Sequence, residues 1–438
     1  MKNTSSLWKF FSSVKLALFT LAFLAITSIL GTVIPQKEPI EFYVNTYGPQ
    51  TAAFFQVLDI PDMYSSWWFL GFLGILTANL VICSIDRFPS VWRQMTADYL
   101  DLPIERIYKN QLSATIESKK TLPETIQNLQ QMLKDRGWKT VSRPRNDKML
   151  LFSQKMPWSR SGVYLVHLSI LVIFAGAGYG QLTGFKGSIM LPELQSSTVV
   201  YPFRGGQPID LGFEIRCERF DIEFYPNTMP KEYRSKLTIL ENDTVVLQKD
   251  IVVNDPLKYR GITFYQSSYQ GFRDFIFTIA DQTGESTLFT GDFQKELTWA
   301  EKNIQFGIIN LETVRDRVDR IKIWFNDGKG PPAEFWMDAA EEVQIHRPNM
   351  TYLFSAKQRY ATGLQVAKDP GVWIVYLGCS LMLAGLYIAF FLSHRRIWVI
   401  VYHEDTTTII DMKGTANKNK TAFAAQFEKL SGTLAKHM

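Results

Sequence analysis

Four long stretches without Asp, Glu, Lys or Arg constrain this chain more than any other feature. They cover residues 16–34, 65–85, 161–185 and 370–393 of a sequence of 438 residues. A bilayer core about 30 Å thick is crossed by roughly 20 helical residues, because backbone groups in lipid must form their hydrogen bonds within their own helix. The sequence therefore predicts a membrane protein with four transmembrane α-helices.

The basic residues are distributed unevenly between these stretches. Residues 86–160 contain fourteen Lys and Arg, whereas residues 35–64 contain Lys37 alone. Because Lys and Arg accumulate in loops on the cytoplasmic side, we expect residues 1–15, 86–160 and 394–438 inside, and residues 35–64 and 186–369 outside. The first stretch lacks a small-residue cleavage site and an organelle transit pattern, so the expected location is a bacterial cytoplasmic (inner) membrane. No Lys/Arg run is dense enough to predict nucleic-acid binding.

Between the spans, the periodicity changes from segment to segment. Residues 186–369 alternate apolar and polar side chains, with a hairpin turn expected at residues 241–243, and this pattern predicts a large extracytoplasmic all-β, sandwich-like domain. Residues 86–160 combine one amphipathic helix with two short extended pieces, which is typical of a small cytoplasmic α/β segment. The polar residues 405–438 are expected to form a loosely ordered tail. Gly176 and Gly180 form a G-x-x-x-G pair, which packs helices either within the bundle or against a partner.

His167 is unusual because it is an ionisable residue inside the third apolar stretch. It lies about five residues into that span, and Ile170, Leu171 and Phe174 follow at helical spacing. An apolar helix face that carries one imidazole can hold haem, since a neutral imidazole donates a lone pair to iron. The alternative from the residues alone is a histidine that is hydrogen-bonded to a neighbouring helix. His394, at the end of the fourth stretch, is either an interfacial anchor or a further haem ligand.

The cysteines do not provide a redox or haem-attachment motif. Cys83, Cys217 and Cys379 are scattered, and neither C-x-x-C nor C-x-x-C-H occurs. The chain is therefore not itself a c-type cytochrome, and Cys217 is expected to be an ordinary thiol in a strand.

Four sequence segments resemble the ResB (CcsB) family of system II cytochrome c biogenesis. They are FFSSVKLALFTLAFLAITSILGTVIPQ, GVYLVHLSILVIFAGA, YRGITFYQSSY and GLQVAKDPGVWIVYLGCSLMLAGLYIAFFLSHRRIWV, and they occur in family order across nearly the whole chain. The resemblance implies a haem-handling subunit. With a ResC/CcsA-type membrane protein, it would move haem b across the membrane for thioether attachment to the C-x-x-C-H cysteines of apocytochromes c, in a holocytochrome c synthetase complex.

The resemblance also implies roles for particular residues. His167 would be an axial haem ligand within the membrane, and a histidine of the partner would be the other ligand. The tryptophan-rich haem motif expected of the partner is absent here, so we assign no catalytic residue to this chain alone. Thiol-reducing proteins are further expected partners. Within YRGITFYQSSY, the aromatic side chains are either a contact surface for apocytochrome or haem, or strand core: Tyr259, Phe264, Tyr265 and Tyr269.

Two other functions fit parts of the sequence. A b-type cytochrome that carries electrons across the membrane usually stacks two haems, which needs four histidines in the spans, whereas this chain offers His167 and, at an edge, His394. A membrane-anchored binding or sensor protein would need only a structural His167. A visible spectrum separates these functions, because the sensor shows no Soret band and the electron carrier shows more than one haem.

Overall fold

The computed structural model describes residues 5–97, 99–101, 103, 106–107, 112–203, 205–225, 229–282, 284–314, 317–348, 350–404 and 406–438. Some residues of the expected α/β segment therefore lie outside the described residues, namely 98, 102, 104–105 and 108–111. The chain divides into two compact units, one formed by Met1–Ala177 with Val372–Met438 and the other by Gly178–Gly371. Each unit is described by itself below.

The helices include the four expected spans. Within the described residues, four helical segments are long and apolar enough to cross a membrane: Val14–Val33, Trp67–Thr96, Pro157–Thr183 and Val372–Phe391. The second continues well past its apolar stretch and contains Pro89. In chain order the α-helices are α1 (Ser6–Phe11), α2 (Val14–Val33), α3 (Ile40–Tyr47), α4 (Pro49–Val57), α5 (Trp67–Thr96), α6 (Leu122–Asp135), α7 (Gly162–Thr183), α8 (Val372–Phe391) and α9 (Lys420–His437), and 3₁₀ turns occur at Ile60–Ser65, Tyr99–Asp101, Pro157–Ser161 and Ala300–Lys302.

The strands account for most of the remaining described chain. In chain order they are β1 (Leu112–Ser118), β2 (Lys139–Arg145), β3 (Lys148–Lys155), β4 (Phe185–Pro192), β5 (Ser196–Pro202), β6 (Ile209–Phe224), β7 (Pro230–Glu241), β8 (Thr244–Ile251), β9 (Leu257–Tyr259), β10 (Ile262–Ala280), β11 (Ser286–Asp292), β12 (Leu297–Trp299), β13 (Ile304–Val314), β14 (Arg317–Asn326), β15 (Ala333–Asp338), β16 (Glu342–Arg347), β17 (Met350–Lys368), β18 (Arg395–Glu404) and β19 (Thr407–Ala416).

Glycines bring α7 and α8 into close contact. A Cβ added at Gly385 of α8 would lie 2.9 Å from the backbone nitrogen of Val166, and one at Gly378 would lie 3.0 Å from that of Ile173. Gly176 of α7 likewise faces Ile374 of α8. Because glycine contributes no side chain at these points, the facing helix approaches closely and van der Waals contact extends along the helix pair. Of the two roles expected for Gly176, the structure shows packing within the bundle.

Polar side chains of α5 form hydrogen bonds with the backbone at the junction between α1 and α2. The side-chain amide of Asn79 donates to the carbonyl oxygens of Phe11 at 2.6 Å and Ser13 at 3.0 Å. The Cys83 thiol donates to the Ser12 carbonyl at 3.0 Å. These carbonyls lie at the junction of the two helices, where the Ser13 carbonyl also accepts from the backbone nitrogen of Ala17 at 3.3 Å, so the side chains add hydrogen bonds to backbone acceptors in an apolar setting. The buried Asn79 and Cys83 are thereby explained without a ligand.

The first unit contains a five-stranded antiparallel sheet in the order β1-β19-β18-β3-β2. Helices α6 and α9 pack on one face, and Leu100 and Ile107 cover part of the other. Contrary to the expectation for residues 405–438, the described residues 406–438 are not a loose tail, because they add β19 to this sheet and α9 to one of its faces. In β18, Ile397 and Val399 enter one core while Trp398 enters the other. Such an apolar run without alternation is typical of a central strand that is buried on both faces.

The second unit is an all-β domain, in agreement with the expected fold class. One sheet has the path β11-β10-β17-β4-β5-β6-β7-β8, with β9 on β10 and β16 on β17, and a second sheet has the order β12-β13-β14-β15. The two long strands β10 and β17 contribute to both hydrophobic cores of the domain. The expected hairpin is confirmed, since Glu241 pairs with Thr244 and the turn residues Asn242 and Asp243 both have positive φ.

Candidate functional site

The imidazole of His167 in α7 is bound by a side chain of another span helix. The hydroxyl of Ser84 in α5 lies 2.9 Å from Nδ1 of His167. His167 is half-buried, and within the described residues no hydrogen bond involves its Nε2. The hydrogen bond to Ser84 therefore orients the ring through Nδ1 and leaves Nε2 accessible.

Packing of α7 against α5 covers one side of α7 next to His167. Ile170, Leu171 and Phe174 pack against a buried cluster that includes Leu76 and Leu80 of α5. The helix face predicted to hold a ligand is thus largely covered by protein. The open side of the imidazole, meaning the side that this cluster does not cover, includes the contact of the ring with Tyr164, which lies nearly one turn closer to the start of α7.

An aromatic strip, formed by Tyr164, Phe88 and Trp92, borders the open side of His167. The Tyr164 ring centroid lies 6.2 Å from that of His167 and 5.1 Å from that of Phe88, and Phe88 lies 5.9 Å from Trp92. Phe88 is 36% exposed and Trp92 is 53% exposed. The strip follows helical spacing, since Ser84, Phe88 and Trp92 are successive i, i+4 positions on α5. The sequence reasoning missed Ser84, Tyr164 and Phe88.

The arrangement can donate one lone pair to a metal, but it cannot enclose a metal ion by itself. In the tautomer protonated at Nδ1, the ring donates to Ser84 and the lone pair of Nε2 is available. The described part of the chain contains no group of three or more His, Cys, Asp or Glu that could hold a metal ion. The site therefore suits a metal whose other ligands come from elsewhere, as they do for the iron of a porphyrin.

His394 has a different environment, in which both ring nitrogens are used. It is fully buried, its Nδ1 accepts from Nε of Arg160 at 2.9 Å, and its Nε2 lies 3.1 Å from Oε1 of Gln154. Burial, reinforced by the charges of Arg396 and Arg160, lowers the pKa of His394 to about 3. A neutral ring that accepts at Nδ1 and donates from Nε2 has no lone pair left for iron. The geometry thus disfavours a ligand role for His394, and instead of the expected interfacial anchor it shows a buried ring that joins Arg160 to Gln154.

The four aromatic residues predicted as a contact surface do not lie on one surface. Phe264 is fully buried in the domain core, whereas its neighbour Tyr265 is 43% exposed on the opposite face of β10. The Tyr259 hydroxyl donates to Glu241 Oε1 at 2.7 Å, and Tyr269 packs against Phe220. Alternation along a strand separates Phe264 from Tyr265, so Tyr265 alone among the four is well exposed.

Cys217 is confirmed as a buried thiol. Its side chain is inaccessible to solvent, and burial, followed by the nearby Glu193 carboxylate, raises the pKa of the thiol to about 12. A thiol that stays protonated at physiological pH is neither a nucleophile nor a metal ligand.

Comparison with known proteins gives a consistent result over nearly the whole chain. The family model described as "ResB-like family" matches residues 14–341 and 331–428. A protein named cytochrome c biogenesis protein CcsB from Synechococcus sp. (strain JA-2-3B'a(2-13)) is 28% identical over 448 residues, covering 96% of this chain and 90% of the relative. Its namesake from Prochlorococcus marinus is 26% identical over 446 residues, covering 98% of this chain and 99% of the relative.

Proposed function

The chain belongs to the ResB-like family, and from this membership we propose that it takes part in cytochrome c biogenesis as the subunit that holds haem within the membrane. Its curated relatives are named for cytochrome c biogenesis, a process that ends with haem bound covalently to an apoprotein. Haem b is thus the cargo of the process, and the chain supplies its binding site rather than its chemistry.

One observation carries this proposal, namely the hydrogen bond of 2.9 Å between Ser84 and Nδ1 of His167. Haem-ligating and metal-ligating histidines commonly donate their second ring N–H to a nearby acceptor, which fixes the tautomer and the orientation of the ring. With Nδ1–H directed at Ser84, Nε2 presents its lone pair on the open side of α7. A histidine that served only to join two helices would not need an accessible second nitrogen.

The surroundings of Nε2 suit a flat apolar ligand. The aromatic strip is partly exposed and lies in or beside the span helices. A porphyrin placed there gains burial for its ring, and the aromatic side chains offer stacking or edge contacts. The same apolar setting keeps water from the iron.

The second axial ligand must come from another chain. The other described histidines are unsuited to it, since His394 uses both nitrogens and the remaining ones lie outside the span helices: His346, His403 and His437. We therefore propose that a ResC/CcsA-type membrane protein supplies an imidazole opposite His167. Iron bound by two imidazoles has no open position for water or oxygen.

The distribution of charges supports one orientation of the chain. In it, both termini and the five-stranded sheet lie on the cytoplasmic side of a bacterial membrane, and the all-β domain lies on the other side. In this arrangement the all-β domain meets the apocytochrome c, whose C-x-x-C-H cysteines must be kept reduced by thiol-reducing proteins. Tyr265, the exposed member of the predicted aromatic set, is the first residue to test for that contact.

A histidine replacement tests the proposal directly. We expect the detergent-purified chain, expressed with its membrane partner, to show a b-type Soret band that falls strongly in His167→Ala. His403→Ala is the matched control, because His403 is exposed at the end of β18. A Soret band of equal intensity in wild type and His167→Ala would refute haem ligation by His167.

A further inference from the structure

Arg87 is exposed and forms no ion pair or side-chain hydrogen bond among the described residues, at the point where α5 leaves its charge-free stretch. We propose that its guanidinium binds a propionate carboxylate of the haem held by His167. The binding site then has an iron-binding end at His167 and a carboxylate-binding end at Arg87. This inference rests on the proposed function and adds the recognition of the acidic groups of haem. The carboxylate-binding end is called the propionate subsite below.

Helix geometry places Arg87 beside the aromatic strip. Ser84, Arg87 and Phe88 are at positions i, i+3 and i+4 of α5, which share one helix face. Two of the three are observed to contact α7, since Ser84 reaches His167 at 2.9 Å and Phe88 reaches Tyr164 at 5.1 Å between ring centroids. Arg87 therefore lies at the same edge of the α5–α7 pair as the open imidazole.

The Arg87 guanidinium is available to bind an external anion. Asp86, the adjacent carboxylate, accepts a hydrogen bond of 3.4 Å from the indole nitrogen of Trp8. Among the described residues, Arg87 forms no ion pair and no side-chain hydrogen bond, and it is exposed. An unpaired guanidinium next to an apolar binding face is suited to a carboxylate, which it can bind with two parallel hydrogen bonds.

The depth of Arg87 fits the dimensions of haem. Arg87 is three residues beyond Ser84, which is about 4.5 Å along the helix axis at 1.5 Å per residue, and its long side chain extends the reach. It also lies just past the charge-free residues 65–85. The porphyrin ring would then remain at the depth of His167 while its propionates reach the polar boundary, where a carboxylate costs less to hold. Haem is thereby oriented as well as bound.

A phospholipid phosphate offers Arg87 the same anionic chemistry, so the experiment must separate the two sources. Haemin and haemin dimethyl ester share the iron and the ring, but the ester has no carboxylate. The full-length chain, co-purified with its membrane partner in detergent without added phospholipid, is titrated with each compound, and the Soret band is followed. Variants are Arg87→Ala, Arg87→Gln, Arg87→Lys and His167→Ala.

Arg93→Ala is the matched control, because Arg93 is exposed on α5 and lies nine residues from Ser84, about half a turn away from the binding face. We expect Arg87→Ala and Arg87→Gln to weaken haemin binding about tenfold, as for a lost charge-assisted hydrogen bond. Binding of the dimethyl ester should be unchanged, Arg87→Lys should recover part of the affinity, and Arg93→Ala should match wild type.

The outcomes distinguish this inference from the function on which it rests. If Arg87→Ala changes the affinity for haemin and its ester equally, or changes neither, the propionate subsite is refuted while haem ligation stands. If His167→Ala binds both compounds as tightly as wild type does, the proposed function fails and the subsite fails with it. Monodisperse elution of each variant on size exclusion shows that the comparison is made on folded protein.

Discussion

The hydroxyl of Ser84 lies 2.9 Å from Nδ1 of His167, and this contact joins α5 and α7 at the position of the candidate site. The two residues are 83 positions apart in sequence. A serine in the second span thus bears on what the histidine of the third span can do, because in the tautomer whose Nδ1–H donates to Ser84 the lone pair remains on Nε2.

Replacing Ser84 by Ala should weaken haem binding without removing it. The variant keeps the His167 ligand but loses the acceptor that holds the Nδ1 proton, and loss of such a supporting hydrogen bond typically costs about 10- to 100-fold in metal affinity. Haemin titration followed at the Soret band measures the effect. Ser90→Ala on the exposed part of α5 is the control, and equal affinities for the Ser84 and Ser90 variants would contradict the positioning role.

Adding one methyl group at Gly385 should destabilise the membrane bundle. The new Cβ of Gly385→Ala would lie 2.9 Å from the Val166 backbone nitrogen, so α7 and α8 must separate, at a cost of about 1–3 kcal/mol. At Gly74 an added Cβ meets nothing within 4 Å, so Gly74→Ala should be neutral or slightly stabilising. Thermal unfolding of the two variants in the same detergent is the measurement. Equal midpoints would show that the α7–α8 contact does not limit stability.

The stability of the five-stranded sheet should fall on mild acidification because of His394. Its pKa is lowered to about 3 in the folded chain, whereas the unfolded value is about 6.5. The folded state therefore binds fewer protons than the unfolded state between these values. This contribution to stability is complete above about pH 6.5 and declines as the pH falls toward 3, by at most about 1.4 kcal/mol per pH unit.

His394→Gln should remove that part of the pH dependence. Thermal midpoints of wild type and His394→Gln, each measured at pH 7.5 and pH 5.5, test this, since few carboxylates titrate in that interval. Wild type is expected to lose more stability on acidification than the variant. An identical loss in both proteins would show that His394 is not the group responsible.

Single cysteines should label from opposite sides of the membrane. Tyr265 and His403 are both exposed, one in the all-β domain and the other at the end of β18. In intact spheroplasts, a membrane-impermeant maleimide should modify Tyr265→Cys directly and His403→Cys only after the membrane is permeabilised. These variants are made with Cys379, which is exposed, replaced by Ala. Labelling of both positions before permeabilisation would overturn the proposed orientation.

Local patterns in the sequence determined much of the architecture. The charge-free stretches locate α2, α5, α7 and α8, because a helix in lipid must satisfy its own backbone and this requirement is a matter of length and composition. The hairpin turn at Asn242 and Asp243 could also be predicted from the sequence, since these residue types tolerate the positive φ that a two-residue hairpin loop needs. His167 stood out for the same kind of reason, as an ionisable side chain in an apolar run.

Tertiary structure alone decided how these pieces combine. Periodicity along a segment indicates which faces are apolar, but not which distant element covers them. The pairing of β18 and β19 with β1 and β3 therefore could not be derived from the sequence. Neither could the hydrogen bonds of His394 with Arg160 and Gln154. The same is true of Ser84, an ordinary residue in its own span. Its importance arises from helix packing, which brings its hydroxyl to one nitrogen of His167 and leaves the other nitrogen open.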